Sequence, residues 1–261
     1  MSTNHVYLEK KGEVATIYFN QPEKRNALTH EMWKTIPSLL EDAEQDRGIK
    51  VLVLRGADEM AFAAGADISE FKTLRSTPEG AKTYNDACHK AERRLAHFKK
   101  PTIAMIQGPC IGGGCELALA CDFRFSDTTG RFGITPAKLG LVYSLNATKQ
   151  LVDLVGPANA KYILLSGKII DVQRAFRIGL IDEVYSPEEI VSKTYEFAEL
   201  LCQNAQFTVR SMKYIISEIM RGVAEDTEET KRLRQDSFST EDYQEGVRAF
   251  LEKRKPDFKY S

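Results

Sequence analysis

Short apolar runs alternate with longer amphipathic segments along the first two-thirds of the chain. Residues 51–54 form an unbroken apolar run, which is typical of a strand buried on both faces, and 101–106 repeats the pattern. Thr29 is placed to cap a helix that begins near His30, and 78–98 has the pattern of a long polar helix. Strands that alternate with helices in this way predict an α/β fold.

The character of the chain changes near residue 187. Everything beyond it has a helical pattern with many charged residues, and turns are indicated near Asn204, Gly222 and Thr240. We therefore divide the chain into a core at 1–190 and a helical segment at 191–261. The apolar stripe of these helices needs a partner, which is either the core or another subunit.

The balance of charged residues limits the kinds of partner that the chain is expected to bind. Lysine and arginine total 36 against 37 acidic residues, which gives a net charge of -1. Nucleic-acid binding depends on a clustered positive field, so no nucleic-acid partner is expected, although a small basic patch for a phosphorylated ligand stays open. No run approaches the roughly 20 apolar residues that span a bilayer, and the polar opening residues contain no secretion signal. No membrane association is expected.

The cysteines indicate neither a disulfide framework nor a metal site. There are five, with no CxxC pair and no histidine at zinc-finger spacing. Cys110 and Cys115 flank a glycine run, and we interpret them as small buried apolar residues. These features fit a reducing cytoplasm.

Two loops rich in small residues each follow a buried strand. The first spans 61–68 around Gly65, and the second spans 112–116, with three consecutive glycines at the start of an apolar helix. Glycine lets the chain turn an amide toward a ligand, and a helix N-terminus presents unpaired amides with partial positive charge. One amide from each loop, converging on one oxygen atom, would form an oxyanion hole.

Other interpretations of the glycines stay open at this point. A glycine run also permits close packing of a helix on a strand. The phosphate-binding loop template fails because Gly114 stands where lysine is required. The dinucleotide template fails because Leu117 occupies the position of its third small residue, which disfavours a nicotinamide-dependent oxidoreductase.

Four sequence blocks resemble the enoyl-CoA hydratase/isomerase (crotonase) superfamily, in its order and over nearly the whole chain. They are NQPEKRNAL at 20–28, FAAGADI at 62–68, IGGGCELA at 111–118 and EDYQEGVRAFLEKRKP at 241–256. The resemblance implies a spiral of ββα turns with a helical C-terminal segment that assembles trimers or dimers of trimers. It also implies an acyl-CoA substrate, of which coenzyme A is a part, and no separate cofactor.

The resemblance also assigns individual residues. The two oxyanion amides fall on Ala66 and Gly113, and the acid/base carboxylate falls on Glu116. Residues expected to border coenzyme A, the last two reaching it from a neighbouring subunit, are Lys24, Arg25, Ala64, Ile68, Phe250 and Lys253.

The choice of reaction depends on a second carboxylate, which hydratases of the superfamily use together with the first. Its aligned position holds Pro136, and the nearest acid, Asp127, is on the wrong side of its strand. The stretch 135–145 resembles the methylmalonyl-CoA decarboxylases of the superfamily, and Tyr143 is placed to hydrogen-bond a substrate carboxylate. Decarboxylation of a malonyl-type thioester is therefore the favoured reaction.

Other activities stay open. One glutamate can move a proton between two carbon atoms, so enoyl-CoA isomerisation is an alternative, as is hydration that uses Glu116 alone. A non-catalytic or RNA-binding relative is a further alternative. Tyr143 is equally well interpreted as a packing residue.

Overall fold

The structure is a computed structural model that describes residues 5–259. Residues 1–4, which carry part of the argument against a secretion signal, lie outside the described residues. The strands are β1 Val6–Lys11, β2 Val14–Phe19, β3 Val51–Gly56, β4 Thr102–Ile106, β5 Pro109–Ile111, β6 Phe123–Asp127, β7 Arg131–Gly133, β8 Ile170–Asp171 and β9 Glu183–Tyr185.

The helices that begin at His30, Pro78 and Gly113, and those beyond residue 187, lie where the sequence pattern predicts them. Short 3-10 turns at Pro22–Lys24, Ile68–Glu70 and Pro136–Lys138 complete the set. The α-helices are α1 His30–Gln45, α2 Phe71–Leu74, α3 Pro78–Ala96, α4 Gly113–Leu119, α5 Leu145–Ser166, α6 Val172–Arg177, α7 Ile190–Cys202, α8 Gln206–Met220, α9 Glu228–Ser237 and α10 Glu241–Leu251.

The described strands form two sheets. The larger has the order β1-β2-β3-β4-β6-β9, in which β1 and β2 pair antiparallel and the other neighbours pair parallel. The smaller has the order β5-β7-β8. Successive strands alternate between the sheets before each helix: β4 and β5 precede α4, and β6 and β7 precede α5. This is a spiral of ββα turns, so the predicted α/β architecture is confirmed.

The central strands β3 and β4 are buried on both faces, as the unbroken apolar runs predict. Leu52 and Leu54 point into the main core, whereas Val51 and Val53 point to a second cluster. That second cluster is covered by α7, which contributes Ile190 and other apolar side chains to it. Alternate residues of one strand therefore serve two cores.

Helix α1 starts where the sequence places its cap. The Thr29 hydroxyl accepts a hydrogen bond from the Met32 N–H at 3.2 Å. The helix continues through Pro37, so this proline does not divide it into two helices. Its buried stripe, at the spacing of an amphipathic helix, consists of Met32, Trp33, Ile36, Leu40 and Ala43.

The C-terminal helices have the connections that the sequence indicates near Asn204, Gly222 and Thr240. Helix α7 packs on the larger sheet, while the division of the chain at 190/191 stays a prediction. Helices α8 and α10, with the end of α9, keep large apolar side chains in solvent: Met212, Ile216, Ile219, Met220, Phe238, Tyr243, Val247, Phe250 and Leu251. None of the helices in the described part of the chain is long and apolar enough to cross a membrane.

The buried Arg124 joins β6 to the segment that leads into β9. Its guanidinium donates to the carbonyl of Cys121 at 2.6 Å and to that of Leu180 at 3.1 Å, and it pairs with Asp182 at 3.1 Å. Loss of this side chain leaves buried acceptors without their donor. Such a loss is expensive because the groups have already left water.

We predict that Arg124→Ala lowers the free energy of unfolding by about 2 kcal/mol, because two backbone carbonyl groups lose their buried donor, whereas the partly exposed Asp182 can regain contact with water. Urea unfolding followed by circular dichroism at fixed protein concentration measures the change. The matched control is Arg232→Ala, which removes an exposed i,i+3 pair with Glu229 on α9 and is expected to cost less than about 1 kcal/mol. Equal losses in the two variants would contradict the assignment.

Candidate active site

The segment 61–67, called loop A below, lies as an additional strand between β5 and the segment 26–28. Its Ala63 donates to and accepts from the backbone of β5, at 3.0 and 2.9 Å. On its other side, the Leu28 N–H donates to the carbonyl of Gly65 at 2.7 Å. Loop A is therefore fixed along both edges by backbone hydrogen bonds.

Asn26 explains why the block at 20–28 belongs to the same site. It is buried and has a left-handed backbone, with φ of 56°. Its side-chain amide donates to the carbonyl of Ala61 at 2.7 Å and its side-chain oxygen accepts from the N–H of Gln21 at 2.8 Å. Asparagine tolerates the left-handed region better than most residues, and here it ties the entry turn to the start of loop A.

The glycines bring loop A against the N-terminus of α4. Gly65 has φ of 105° and Gly112 has φ of 52° with ψ of -125°, conformations that favour glycine. A Cβ atom on Gly112 would lie 3.7 Å from Cα of Gly65, and one on Gly114 would lie 2.6 Å from the side chain and carbonyl of Ala63. The close approach of helix and loop therefore requires hydrogen in place of a side chain.

The two amides assigned by resemblance have no acceptor within the protein. Among the residues that the structure describes, neither the N–H of Ala66 nor that of Gly113 donates a hydrogen bond, although their neighbours Asp67 and Gly112 do, at 2.9 and 2.8 Å. Gly113 is the first residue of α4, where helical geometry supplies no partner. Two free amides on two adjoining rigid segments have the form of an anion site, and their role in catalysis stays a prediction.

Glu116 lies in the first turn of α4 and is only 8% exposed. A Cβ atom on Gly113 would lie 3.9 Å from its Oε2, so the carboxyl group is close to one of the free amides. Burial, together with the neighbouring Glu92, raises the pKa of Glu116 well above its ordinary value. A carboxyl group with a raised pKa is suited to give or take a proton near neutral pH.

Glu92 on α3 was missed by the sequence analysis. It is 7% exposed, and burial raises the pKa of its carboxyl group to about 7. A side-chain hydrogen bond joins it to Glu116. Because two carboxylates both accept, this hydrogen bond requires a proton on one of the two groups.

The signal for Glu92 was present in the sequence. The buried or half-buried positions Tyr84, Cys88, Ala91 and Leu95 recur at helical spacing along α3, and Glu92 falls within that stripe. A carboxylate among core positions of an amphipathic helix is rare unless it is paired. The prediction of a polar helix over 78–98 did not take this buried stripe into account, so Glu92 was not recognised as a buried carboxyl group.

Tyr143 lies at the same place. Its hydroxyl would be 3.5 Å from a Cβ atom on Gly112, and its ring packs against the main core. Burial, followed by the charges of Glu116 and its neighbours, raises the pKa of Tyr143. The hydroxyl therefore stays protonated and is a potential donor to a substrate, and its role stays a prediction.

Neither position 136 nor Asp127 supplies a second carboxyl group beside Glu116. Pro136 begins a 3-10 turn and is buried, so no ionisable group occupies the aligned position of a second carboxylate. Asp127 accepts hydrogen bonds from the N–H and hydroxyl of Thr129, at 2.9 and 2.6 Å. It therefore serves to shape the turn after β6.

The predicted coenzyme A residues of the entry turn border loop A. Lys24 pairs with Asp67 at 2.6 Å and remains half exposed, and this hydrogen bond raises the pKa of the lysine. The N–H of Ala64 donates to the carbonyl of Arg25 at 3.0 Å, so only its own carbonyl is available to a ligand. Ile68 begins the 3-10 turn and is more than half exposed.

The two C-terminal residues of that set lie elsewhere in the chain. Phe250 is 82% exposed near the end of α10, and Lys253 follows in a left-handed conformation. No hydrogen bond or ion pair within the described residues joins either side chain to loop A or the entry turn. Their contact with coenzyme A of a neighbouring subunit stays a prediction.

The cysteines and other metal-ligand types give no further site. Cys110 and Cys115 are buried, which confirms their interpretation as small core residues, and all five thiols are free. Among the residues that the structure describes, no three His, Cys, Asp or Glu side chains are grouped to hold a metal ion.

Comparisons with known proteins identify the family of the chain. The family model described as enoyl-CoA hydratase/isomerase matches residues 9–261. A short-chain-enoyl-CoA hydratase of Clostridium acetobutylicum is 36% identical over 98% of this chain and 97% of its own length. A crotonyl-CoA hydratase of Syntrophomonas wolfei is 33% identical over 99% of both chains.

A solved structure from Hyphomonas neptunium, of an enoyl-CoA hydratase/isomerase family protein, has a TM-score of 0.96 at 38% identity, with 98% of each chain covered. One from Magnetospirillum magneticum, described as an enoyl-CoA hydratase/carnitine racemase, has a TM-score of 0.95 at 36% identity and covers 100% of this chain and 97% of that one. The chain thus belongs to the enoyl-CoA hydratase/isomerase family and is an acyl-CoA-processing enzyme. The names of its relatives favour a hydratase over the decarboxylase that 135–145 suggested.

The shared proton of Glu92 and Glu116 predicts how stability depends on pH. The ordinary pKa of Glu92 is 4.5 and the folded value is about 7, so the folded state binds more protons between these values. Its stabilising effect is complete below about pH 4.5 and is lost as the pH rises through 7. Glu92→Gln is therefore expected to be more stable than the wild type at pH 8, by about 3 kcal/mol at most, with little difference at pH 4.5.

Urea unfolding at pH 4.5, 6, 7 and 8 tests this dependence. The control is Glu79→Gln, the same change at an exposed position of the same helix, which is expected to follow the wild type at every pH. A constant difference between Glu92→Gln and the wild type across this range would contradict the shared proton.

Proposed function

We propose that the enzyme catalyses the reversible hydration of short-chain 2-enoyl-CoA thioesters. The observation that carries this proposal is the buried carboxyl group of Glu116 close to the free amide of Gly113, with the free amide of Ala66 on the adjoining loop A. This arrangement places a proton donor and acceptor next to a site for a negatively charged oxygen atom. The relatives named short-chain-enoyl-CoA hydratase and crotonyl-CoA hydratase support the choice of substrate length.

In the proposed reaction, the thioester oxygen accepts hydrogen bonds from the two amides. Their dipoles, with that of α4, stabilise the charge that reaches this oxygen when water adds to Cβ of the substrate. Glu116 takes a proton from the attacking water and then delivers a proton to Cα. Each oxyanion donor is expected to contribute about 3–4 kcal/mol to the stabilisation of the transition state.

The charge of the site argues against a malonyl-type substrate. Glu92 and Glu116 hold one negative charge between them when they share one proton, and both are buried. A substrate carboxylate brought next to them would meet a like charge in a medium that screens poorly. Tyr143 alone offers one neutral hydrogen bond in return.

Isomerisation is the second candidate function, and Pro136 is the observation that favours it. A shift of a double bond needs one group to remove a proton from one carbon atom and return it to another. Glu116 can perform both steps without a carboxylate at position 136.

We also propose that the chain assembles as a trimer or a pair of trimers in the cytoplasm. Helices α8 and α10 keep several large apolar side chains exposed, Phe250 among them, and extended exposed apolar surface is typical of protein contacts. The five unpaired cysteines suit a reducing compartment.

We predict that the wild type hydrates crotonyl-CoA and that Glu116→Gln lowers kcat by about 10²–10⁴-fold, the range for loss of a general acid/base. Affinity for CoA is expected to persist, because the amides and the entry turn are untouched. Loss of absorbance at the enoyl thioester band measures hydration, and a thermal shift with saturating CoA measures binding.

Parallel assays separate the competing activities. 3-Enoyl-CoA reports isomerisation, and release of CO2 from malonyl-CoA and methylmalonyl-CoA reports decarboxylation. Release of CO2 without hydration of crotonyl-CoA would overturn the proposed function. An absence of every turnover together with an unchanged melting temperature in CoA would favour a non-catalytic relative.

For the assembly, we predict a mass in light scattering of three or six times the 29.4 kDa of one chain. Ile216→Glu combined with Ile219→Glu, on the exposed face of α8, is expected to shift the mass toward the monomer, because it buries charge at a contact. Lys11→Glu, an exposed change on β1, serves as the control. A wild-type monomer at micromolar concentration would contradict the assembly.

A further inference from the structure

We propose that Glu92 is the proton-sharing partner of Glu116 and thereby replaces the second carboxylate that Pro136 cannot supply. The proposal deepens the hydration proposed above and rests on it. Glu92 acts on the substrate only through Glu116, so we regard it as a positioning residue. Three observations carry the argument: its place on α3, its contact with Glu116, and the surroundings of the pair.

The place of Glu92 is unusual for a glutamate. It lies in the apolar stripe of α3, between Ala91 and Leu95, and only 7% of it is exposed. Replacing it with an apolar residue would remove the cost of burying a carboxyl group, which is large for the charged form. A residue that is unfavourable for packing and lies beside the site indicates a task other than stability.

The contact with Glu116 explains how the cost is reduced. The hydrogen bond between the two carboxyl groups holds one proton between them. Burial raises the pKa of both groups; beyond burial, Glu92 raises the pKa of Glu116, whereas the hydrogen bond from Glu116 lowers that of Glu92. The pair therefore passes from two protons to one, held on Glu116, and then to none in separate steps. The middle form has one negative charge and one proton, which is what a reaction that both removes and donates a proton requires.

The groups that surround Glu92 and Glu116 do not take the shared proton from the pair. The titratable groups that face it are Cys88 from α3, Cys115 from α4 and Tyr143 from the segment before α5. Burial first, then the glutamates, raises the pKa of Cys88 and of Tyr143, so both stay neutral. In the described part of the chain, no lysine, arginine or histidine is among the groups that shift the pKa of either glutamate; Arg75 acts on Cys88.

The Glu92–Glu116 pair accounts for every proton that moves during hydration. Water forms a bond from its oxygen to Cβ, and its proton goes to Glu116, which at the same time passes the shared proton to the carboxylate of Glu92. The π electrons of the double bond move toward the thioester, whose oxygen takes the negative charge at the two amides. The pair now holds two protons and no charge. The enolate then takes one proton at Cα from Glu116, and the pair returns to one proton.

Glu92 contributes both to the removal of a proton from water and to the protonation of the enolate. An isolated exposed glutamate is a weak base at neutral pH, because its pKa is far below the pH. Burial beside Glu92 raises the proton affinity of Glu116, which makes it a better base for water while it remains acidic enough to protonate the enolate. The negative charge moves from the pair to the amides, so no second buried charge arises at any step.

The test compares pH profiles of kcat/KM for crotonyl-CoA hydration between pH 5 and 9. The wild type is expected to be bell-shaped, because activity needs the form with one proton. Glu92→Gln retains the shape of the side chain but cannot share the proton, so kcat is expected to fall about 10²-fold and the alkaline limb to disappear. Glu92→Asp is expected to keep the bell, and Glu79→Gln to match the wild type.

Two further measurements keep the result decisive. The first is the pH profile of Glu92→Leu, a change that suits the apolar stripe of α3 and must remove the alkaline limb as Glu92→Gln does. Circular dichroism and a thermal shift with CoA check that this variant folds and binds. Exchange of the α-protons of butyryl-CoA in D2O, followed by mass spectrometry, reports proton transfer without hydration. Its pH profile is expected to change in the same way.

The outcomes distinguish this proposal from the function on which it rests. A bell-shaped profile in Glu92→Gln or Glu92→Leu, with rates within about threefold of the wild type, overturns the role of Glu92 and leaves hydration intact. Exchange that loses its alkaline limb in both variants, with no hydration by the wild type, supports Glu92 and removes the hydratase function. Neither hydration nor exchange in the wild type overturns both.

Discussion

The pairing of loop A along both of its edges is the constraint on which the site depends. Backbone hydrogen bonds to β5 on one side and to Leu28 on the other leave this loop no freedom to shift. The helix α4 then approaches it so closely that Gly114 faces Ala63 without room for a methyl group. The free amides of Ala66 and Gly113 are therefore positioned by main-chain geometry, which costs no reorganisation when a charge develops.

Electrostatics sets a second constraint on the same few residues. The N-terminus of α4 favours a negative charge, and in the proposed reaction both the thioester oxygen and the carboxyl group of Glu116 lie near it. The proposed proton sharing with Glu92 limits the pair to one charge instead of two. Under this proposal the site can accept an enolate oxygen and still retain a group that takes a proton from water.

Much of the fold followed from local patterns in the sequence. The runs at 51–54 and 101–106 predicted strands buried on both faces, and the structure gives them two separate cores. Thr29 predicted the start of α1 because a side-chain cap depends only on its near neighbours. The glycines at 112–114 indicated free amides for the same reason, since an orphan N–H at a helix start is a local property.

The parts that escaped prediction depend on contacts between distant elements. Pro136 showed which carboxylate was absent, but no spacing along the chain could show that Glu92, on another helix, interacts with Glu116. Counting the stripe of α3 would have exposed the buried glutamate, although not its partner. In the same way, no pattern within one chain places Phe250 and Lys253 at a ligand, because their predicted contact with coenzyme A belongs to a neighbouring copy of the proposed assembly.

The contrast between local main-chain features and contacts of distant side chains explains why the family was easier to identify than the reaction. Three of the four blocks contain the residues that build the main-chain site, such as Asn26, Gly65 and Gly112, whose roles are fixed by backbone geometry. That geometry suits any reaction that passes through a thioester enolate. The choice among such reactions falls to a few side chains that supply or remove protons, and Glu92 lies on α3, outside every block. Substitution there changes the proton inventory of the site without disturbing the hydrogen bonds that define the family.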